Sequence, residues 1–481
     1  MKKLLILTLG MMGLTATAQE VMTPELLWKL GRVTPIGISK DGKNIVYKVS
    51  TPSMEENKSN SKFYTIPVNG GTAVEVTDTK DLVKDKNLSS DGKYLLSHKE
   101  VKVEKIQGKD LYPELKKADA QVYDGLDYRH WDTWRDGTFN HVFYSDASVN
   151  DKAIPVDIMK GENFDSPQKP FGGDEDYIWS PDGKSIVYVC KKKAGTDYAI
   201  STNTDLYEYN LETKNTKNLT EKNLGYDTHP LYSPTGNLTW LQMKRDGYEA
   251  DKNDIVVMDL ASKKITNLTK SWDESVVGDV AWSPDSKNIY FSTAYRGVKQ
   301  LFHIGLDGKV KQISGGNFDV NEIIAFQSGN ILVTRTDINH NADLFKVNVK
   351  DGSMLQLTSV NKDIYAKLSQ GKSELKMVKT SDGKEMGVWF HYPPNFDPNK
   401  KYPTLLYCQG GPQSALTQFF STRWNFALMA ANDYIVVAPN RRGMPGWGTK
   451  WNEDISKDWG GQPIRDYLAA ADFAKTLPYV D

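Results

Sequence analysis

Along the first three quarters of the chain, apolar residues come in short runs with the two-residue period of half-buried strands, and each run follows a turn. Ile186-Val187-Tyr188-Val189 and Ile289-Tyr290-Phe291 are examples. The turn centres read Ser39-Lys40-Asp41-Gly42, Ser90-Asp91-Gly92, Trp134-Arg135-Asp136-Gly137, Trp179-Ser180-Pro181-Asp182-Gly183, Tyr232-Ser233-Pro234-Thr235-Gly236, Trp282-Ser283-Pro284-Asp285-Ser286 and Gln327-Ser328-Gly329-Asn330. Pro presets one turn dihedral, Asp caps the following backbone and Gly accepts a positive φ, so each centre reads as a hairpin turn. A second marker, an apolar residue followed by Thr or Ser, closes the units at Thr77, Thr220, Thr269, Ser314 and Thr358. Its later steps are 49, 45 and 44 residues, and the 143 residues between Thr77 and Thr220 hold three more steps. Both markers count seven units. Four short strands in each repeat of about 40–50 residues is the pattern of a β-propeller, whose radial closure protects the sheet edges. An ordinary sandwich would not keep so regular a step. The sequence therefore predicts an all-β seven-bladed propeller over residues 34–360. Before it, a segment at 19–33 carries a short helix, Thr23 to Leu30, with Thr23 as N-cap and Glu25 in the first turn.

After Thr358 the repeat stops. Leu375 to Val378 and Gly387 to Tyr392 read as strands around a Ser381-Asp382-Gly383-Lys384 turn, and Thr404 to Cys408 and Tyr434 to Ala438 as apolar strands. Helical segments are expected at Thr422 to Ala431 and from Pro463 to Leu477. Buried strands alternating with helices indicate a parallel α/β sheet, here over residues 365–481.

Sixty basic and 61 acidic residues in 481 leave a formal charge of -1, which excludes the global basic field that condenses on nucleic acid or anionic lipid. Two cysteines, Cys190 and Cys408, offer neither a disulfide framework nor a metal cage, and both are expected to be buried free thiols. Lys2 and Lys3 precede an apolar run from Leu4 to Leu14 that ends in Ala16-Thr17-Ala18, which reads as a secretory signal peptide over residues 1–18. No later stretch is apolar enough to span a bilayer. The expectation is an exported, periplasmic protein.

Three motifs in the last part of the chain carry chemistry: Gln409-Gly410-Gly411-Pro412 at a strand end, Pro439-Asn440-Arg441-Arg442-Gly443-Met444-Pro445-Gly446-Trp447-Gly448 at the next, and Trp459-Gly460-Gly461 before a helix bearing Asp466. Together with the preceding propeller they resemble the prolyl oligopeptidase family of serine peptidases, in the branch of acylaminoacyl peptidases and the dipeptidyl peptidase V type. The resemblance covers essentially the whole chain. It implies the N-terminal half of an α/β-hydrolase domain behind the propeller, short peptides as substrates, and no metal or organic cofactor. It also implies that Gly411 donates its N–H to the tetrahedral oxyanion of acyl transfer, with Gln409 beside it. Family members carry His or Tyr where Gln409 stands.

The nucleophile of such hydrolases sits in a Gly-x-Ser-x-Gly elbow followed by an acid and a His. No Gly-x-Ser-x-Gly occurs in these residues, so the Ser, Asp and His are expected beyond Asp481, and the sequence reads as that of a fragment, inactive alone. The histidines, His98, His130, His141, His229, His303, His340 and His391, read as structural or surface residues. Asp174-Glu175-Asp176 reads as a solvated turn rather than a cation site. Gly443-x-x-Gly446-x-Gly448 lacks the order of a nucleotide-binding loop. Trp131, Trp134 and Trp272 read as propeller packing. Glu249, in the charged stretch Arg245 to Asp251, is the candidate partner for the free α-amine of a peptide, as dipeptidyl peptidases require, with a loop salt bridge as the alternative. The competing reading is a periplasmic propeller that binds proteins or ligands without catalysis.

Overall fold

The computed structural model describes residues 20–128, 132–149 and 153–481; the leader read at 1–18, His130 and Trp131 lie outside the described residues. In the repeated turns one serine organises the hairpin. Ser180 Oγ donates to Asp182 Oδ1 at 2.6 Å and accepts the Ser185 N–H at 2.9 Å, while Asp182 accepts the Lys184 N–H at 3.0 Å. Ser39 with Asp41 and Asn44, Ser89 with Asp91 and Tyr94, and Ser283 with Asp285 and Asn288 repeat this pattern. Gly183 sits at φ +67, a conformation that a side chain resists.

Each such turn joins the first two strands of an antiparallel sheet. Six sheets occur among the described residues ahead of residue 360, spanning Arg32–Val76, Tyr94–Asp157, Tyr177–Asn218, Asp227–Asn267, Val280–Gln312 and Asp319–Gln356. Five have four strands in sequential order; the second has three, and a single bridge from Leu88 to Leu95 stands where its first strand would be. The sequence had implied seven. The extra centre, Trp134 to Gly137, lies inside the second sheet, in the long connection between the strands Tyr94–Lys102 and Thr138–Asp146. Asp136 closes a side-chain turn there by accepting both the Thr138 N–H and its hydroxyl, but Trp134 stands where the sheet-heading turns carry their organising serine.

Apolar clusters join successive sheets. Leu96, Val142 and Tyr144 pack on Tyr177 and Trp179, Val187 and Leu206 on Trp240 and Val256, and Tyr290 and Leu301 on Val320 and Ile331. The ring closes where Val33, Ile45 and Tyr47 of the first sheet meet Leu332, Leu344 and Leu357 of the sixth. Between the first and second sheets, Ser39 bridges Val83.

The Thr/Ser marker also has a structural task. Thr269 Oγ1 accepts the Ile255 N–H at 2.9 Å and donates to Asp254 Oδ1 at 2.6 Å. Ser314 does the same for Leu301 and Gln300, and Thr358 for Leu344 and Asp343. Each hydroxyl is buried and supplies an acceptor to a third-strand N–H where the short fourth strand has ended.

The C-terminal sheet runs in the order Ser373–Lys379, Glu385–His391, Ile435–Pro439, Thr404–Leu406. Its first two pairings are antiparallel and its last is parallel. Val480 bridges Tyr402 in parallel on the far side of the Thr404–Leu406 strand. The predicted helix at 422–431 shortens to Phe426–Ala430, because Asn425 caps it by accepting the Leu428 N–H at 2.7 Å. The helix predicted from Pro463 runs Gln462–Lys475. At the start of the chain the helix Pro24–Lys29 is capped by Thr23, as expected. Leu27 and Leu30 pack there with Leu368, Phe420 and Leu428, while Glu20 pairs with the backbone at Lys367 and Ser369. The opening segment therefore touches both domains.

Replacing Thr269 by Val keeps the shape and orphans the buried Ile255 N–H, so it should lower stability by about 1–3 kcal/mol. Urea denaturation with hydrogen exchange at the Ile255 amide measures this. An unchanged midpoint and unchanged exchange would show the hydroxyl to be dispensable.

Candidate active site

Beyond the strand Thr404–Leu406 the chain enters the loop Gln409-Gly410-Gly411-Pro412. Gly411 sits at φ +59, and a Cβ placed on Gly410 or Gly411 would meet no atom within 4 Å, so this backbone faces open space. A turn bond from the Ser414 N–H to the Gly411 carbonyl, 3.1 Å, closes the loop. Gln409 sends its side-chain amide to Ser414 Oγ at 3.4 Å.

The loop is held from behind by the next strand end. Asn440 accepts the Leu416 N–H and donates to the Leu416 carbonyl, both at 2.9 Å. Arg441 donates from Nη2 to the Gln409 carbonyl at 3.1 Å, and from Nη1 to the carbonyls of Pro412 at 3.1 Å and Arg442 at 2.7 Å. Tyr467, on the helix Gln462–Lys475, donates to the same Gln409 carbonyl at 3.0 Å and accepts from Arg441 Nε at 3.2 Å. The neighbouring Arg442 forms a fork on Asp382 at 2.6 and 2.7 Å, and Asp466 accepts its backbone N–H at 3.0 Å. The quoted motif had marked this stretch; the roles of Asn440, Arg441 and Tyr467 were not read from it.

A cavity of about 590 Å³ lies in front of the loop. Pro412, Gln413, Ile455 and Trp459 line it from the C-terminal domain, and Lys191, Tyr198, Tyr226 and Glu249 from the propeller. The structure thus brings Pro412 of the Gly-Gly-Pro loop and Glu249 to one space. Glu249 is exposed, and Tyr226 donates to its Oε1 at 3.4 Å. Burial holds the Lys191 ammonium below its usual range, and it lies 4.3 Å over the Tyr198 ring. A second cavity of about 650 Å³ shares Tyr128 and Tyr198 with the first and extends along the insertion of the second sheet, past Trp134, Arg135, Asp165 and Lys169.

Other sequence candidates take structural roles. Arg245 pairs with Asp251 at 2.6 Å and with Glu453 across the domain seam, whereas Glu249 is left out of that ion pair. Asp174 accepts from Tyr177, and Asp176 accepts the Gln168 N–H in a buried setting that raises its carboxyl to about 7. No group of His, Cys, Asp and Glu among the described residues could hold a metal ion. His391 is buried between Trp389 and Phe426, contacts Ser373 Oγ at 2.7 Å, and is pushed down to about 3 by burial. His141 is clamped between Asp157 and the Glu162 carbonyl, both at 2.9 Å. Trp272 packs on Phe291 and Phe302, as expected, while Trp134 is about half exposed at the second cavity. Cys190 is buried, but Cys408, two residues past the strand Thr404–Leu406, is exposed, contrary to the expectation.

Comparison with known proteins gives two matching family models: the TolB beta propeller domain over residues 177–384 and the prolyl oligopeptidase family over residues 420–481. Dipeptidyl-peptidase 5 of Porphyromonas gingivalis is 40% identical, over 96% of this chain and 74% of its own. The protein of the same name from Porphyromonas endodontalis is 36% identical, over 96% and 73%. Two solved structures share the fold at 17% identity. One is an acylaminoacyl peptidase in complex with Z-Gly-Gly-Phe-chloromethyl ketone, with a TM-score of 0.74 over 95% of this chain and 73% of that one. The other is Pyrococcus horikoshii acylaminoacyl peptidase, with a TM-score of 0.73 over 96% and 74%.

Both domains line the cleft. The glycines after Pro439 serve the seam between them: Arg296 donates its N–H to the Gly446 carbonyl at 2.9 Å, and Glu274 accepts the Gly448 N–H at 3.1 Å. A Cβ on Gly446 would come within 3.1 Å of the Ala294–Tyr295 backbone. Burial raises Glu274 from the ordinary 4.5 to about 7. Its neutral form is therefore favoured in the fold, so its contribution is fully present below about pH 4.5 and is lost as pH rises through about 7. The Glu274→Gln variant should flatten this part of the stability profile, read as thermal midpoint against pH; a wild-type slope would exclude Glu274 as its source.

Proposed function

The chain belongs to the prolyl oligopeptidase family of serine peptidases, and on that premise we propose that it is a dipeptidyl peptidase whose cleft lies between the Gln409–Leu416 loop and the Glu249 face of the propeller. One observation carries the proposal: a single cavity is lined both by Pro412 of the Gly-Gly-Pro loop and by Glu249 of the propeller, a carboxylate with no ion-pair partner among the described residues. Two residues of extended peptide span at most about 7 Å. An enzyme that counts two residues from the N-terminus must hold the amine and the scissile carbonyl that close together. The names of the two Porphyromonas relatives accord with this reading.

In the proposed mechanism the free α-ammonium pairs with the Glu249 carboxylate, which Tyr226 steadies by its hydroxyl. A serine attacks the carbonyl carbon of the second residue while a histidine takes its proton. The carbonyl oxygen becomes an oxyanion and moves onto the Gly411 N–H, which has no acceptor within the described protein. Collapse of the intermediate expels the amine of the remaining peptide, protonated by the same histidine, and leaves an acyl-enzyme that water then hydrolyses. The reading assigns the Ser, Asp and His to sequence beyond Asp481. Its support is that no Gly-x-Ser-x-Gly occurs here and that His141 and His391 are engaged in packing and hydrogen bonds. Export through the leader at 1–18 is part of the same proposal, and a mature N-terminus at Gln19 is the expected result of N-terminal sequencing.

Two substitutions in the full-length protein test the site. Gly411→Val puts a β-branched residue at positive φ and disturbs the donor, and should lower kcat by about a hundredfold or more. Unchanged turnover would remove Gly411 from the mechanism. Glu249→Gln should raise KM for peptides with a free N-terminus and leave N-blocked peptides unaffected. An equal effect on both would reject the amine anchor.

A further inference from the structure

Arg441 and Arg442 are adjacent and both buried, yet they are partnered in opposite ways. Arg442 meets carboxylates, Asp382 and Asp466, as a structural ion pair does. Arg441 has no carboxylate partner among the described residues. Its bonds go instead to the carbonyls of Gln409, Pro412 and Arg442 and to the Tyr467 hydroxyl. A buried guanidinium satisfied by carbonyl dipoles keeps its positive field, because no anion cancels it. Two of those carbonyls belong to the loop that carries Gly410 and Gly411, one on each side of the glycines.

The geometry has a direct consequence for the amides. In a trans peptide the C=O and the following N–H point in opposite directions. Arg441 and Tyr467 together draw the Gln409 carbonyl backward, so the Gly410 N–H faces away from them, toward the open side. Arg441 likewise fixes the Pro412 carbonyl, and the turn bond to Ser414 fixes the Gly411 carbonyl. The Gly410–Gly411 peptide is thus strung between fixed planes. Glycine pairs are otherwise the freest backbone available, and an oxyanion hole is effective only when its donors are set before the charge forms. A lysine would hold the loop differently, since its three donors radiate from one point and lack the fixed planar spread of the guanidinium.

We infer that Arg441, with Tyr467, is the positioning residue of the oxyanion loop, holding the Gly410–Gly411 amides toward the cleft and setting a fixed positive charge behind them. This rests on the reading of Gly411 as the oxyanion donor.

The test uses the full-length protein carrying Arg441→Ala, Arg441→Lys or Tyr467→Phe. Competent sites are counted with an irreversible fluorophosphonate, so that rates refer to folded active centres. With a chromogenic dipeptide amide, Arg441→Ala should lose about a hundredfold in kcat, with KM within about twofold of wild type. The affinity for a peptide aldehyde, whose adduct places an oxyanion in the hole, should fall by the same factor as kcat/KM. Added guanidinium ion should restore part of the rate to Arg441→Ala and none to Gly411→Val. Tyr467→Phe, which removes one donor and little packing, should lose about tenfold and decides the matter if Arg441→Ala fails to fold. Wild-type kcat and aldehyde affinity per titrated site in Tyr467→Phe and in whichever Arg441 variants fold would overturn the inference. If Gly411→Val also turns over normally, the underlying oxyanion reading fails with it; if Gly411→Val is dead, only the positioning role fails.

Discussion

A backbone N–H that has been buried and has lost its ladder partner must find another acceptor, and this requirement shapes the molecule throughout. In the propeller the fourth strands are short, and Thr269, Ser314 and Thr358 supply the missing acceptors. At the opposite end of the hairpins the Ser-x-Asp turns do equivalent work. The C-terminal domain reuses the device: Thr380 donates to Asp382 at 2.6 Å and accepts the Lys384 N–H at 3.0 Å. There Asp382 goes further, because it also receives the Arg442 fork, so a turn at the edge of the domain is tied to the strand end that supports the loop.

From that strand end two adjacent arginines and an asparagine divide the work. Asn440 fixes one end of the loop, Arg441 its middle, and Arg442 the frame on which both stand. The glycines just after them let the backbone of the C-terminal domain come against the propeller, where Glu274 and Asp273 accept its N–H groups. The run from Pro439 to Gly448 thus faces the loop on one side and the propeller on the other.

The periodicity made the propeller and the hydrolase strands legible, because both depend on local alternation and local turn chemistry. The strands at 373–379, 385–391 and 435–439 and the Thr23 cap fell where the sequence put them, within a few residues. The seven turn centres stand against six sheets ahead of the C-terminal one among the described residues. Asp136 closes its turn on the Thr138 N–H and hydroxyl, with Trp134 standing where the Asp182 turn has its serine, and the Asp-Gly pair that both turns share does not by itself mark the start of a sheet. Gly411 and Glu249 were singled out from the sequence, and the cavity joins the loop of one to the side chain of the other. Arg441 and Tyr467 escaped notice for a different reason. They meet the Gln409 carbonyl from 32 and 58 residues away, and no short-range pattern encodes such a convergence.

The chain's opening residues do not belong to the first blade alone. Glu20 pairs with the backbone at Lys367 and Ser369, and Asn361 brackets Gly31 by accepting its N–H and donating to its carbonyl. These residues therefore wait for partners some 330 residues later. Closing so large a loop adds little entropy beyond that of a moderate one, but contacts of this range form slowly. The helix Pro24–Lys29, packed on Leu368 and Leu428, therefore acts as a latch between the start of the ring and the C-terminal domain.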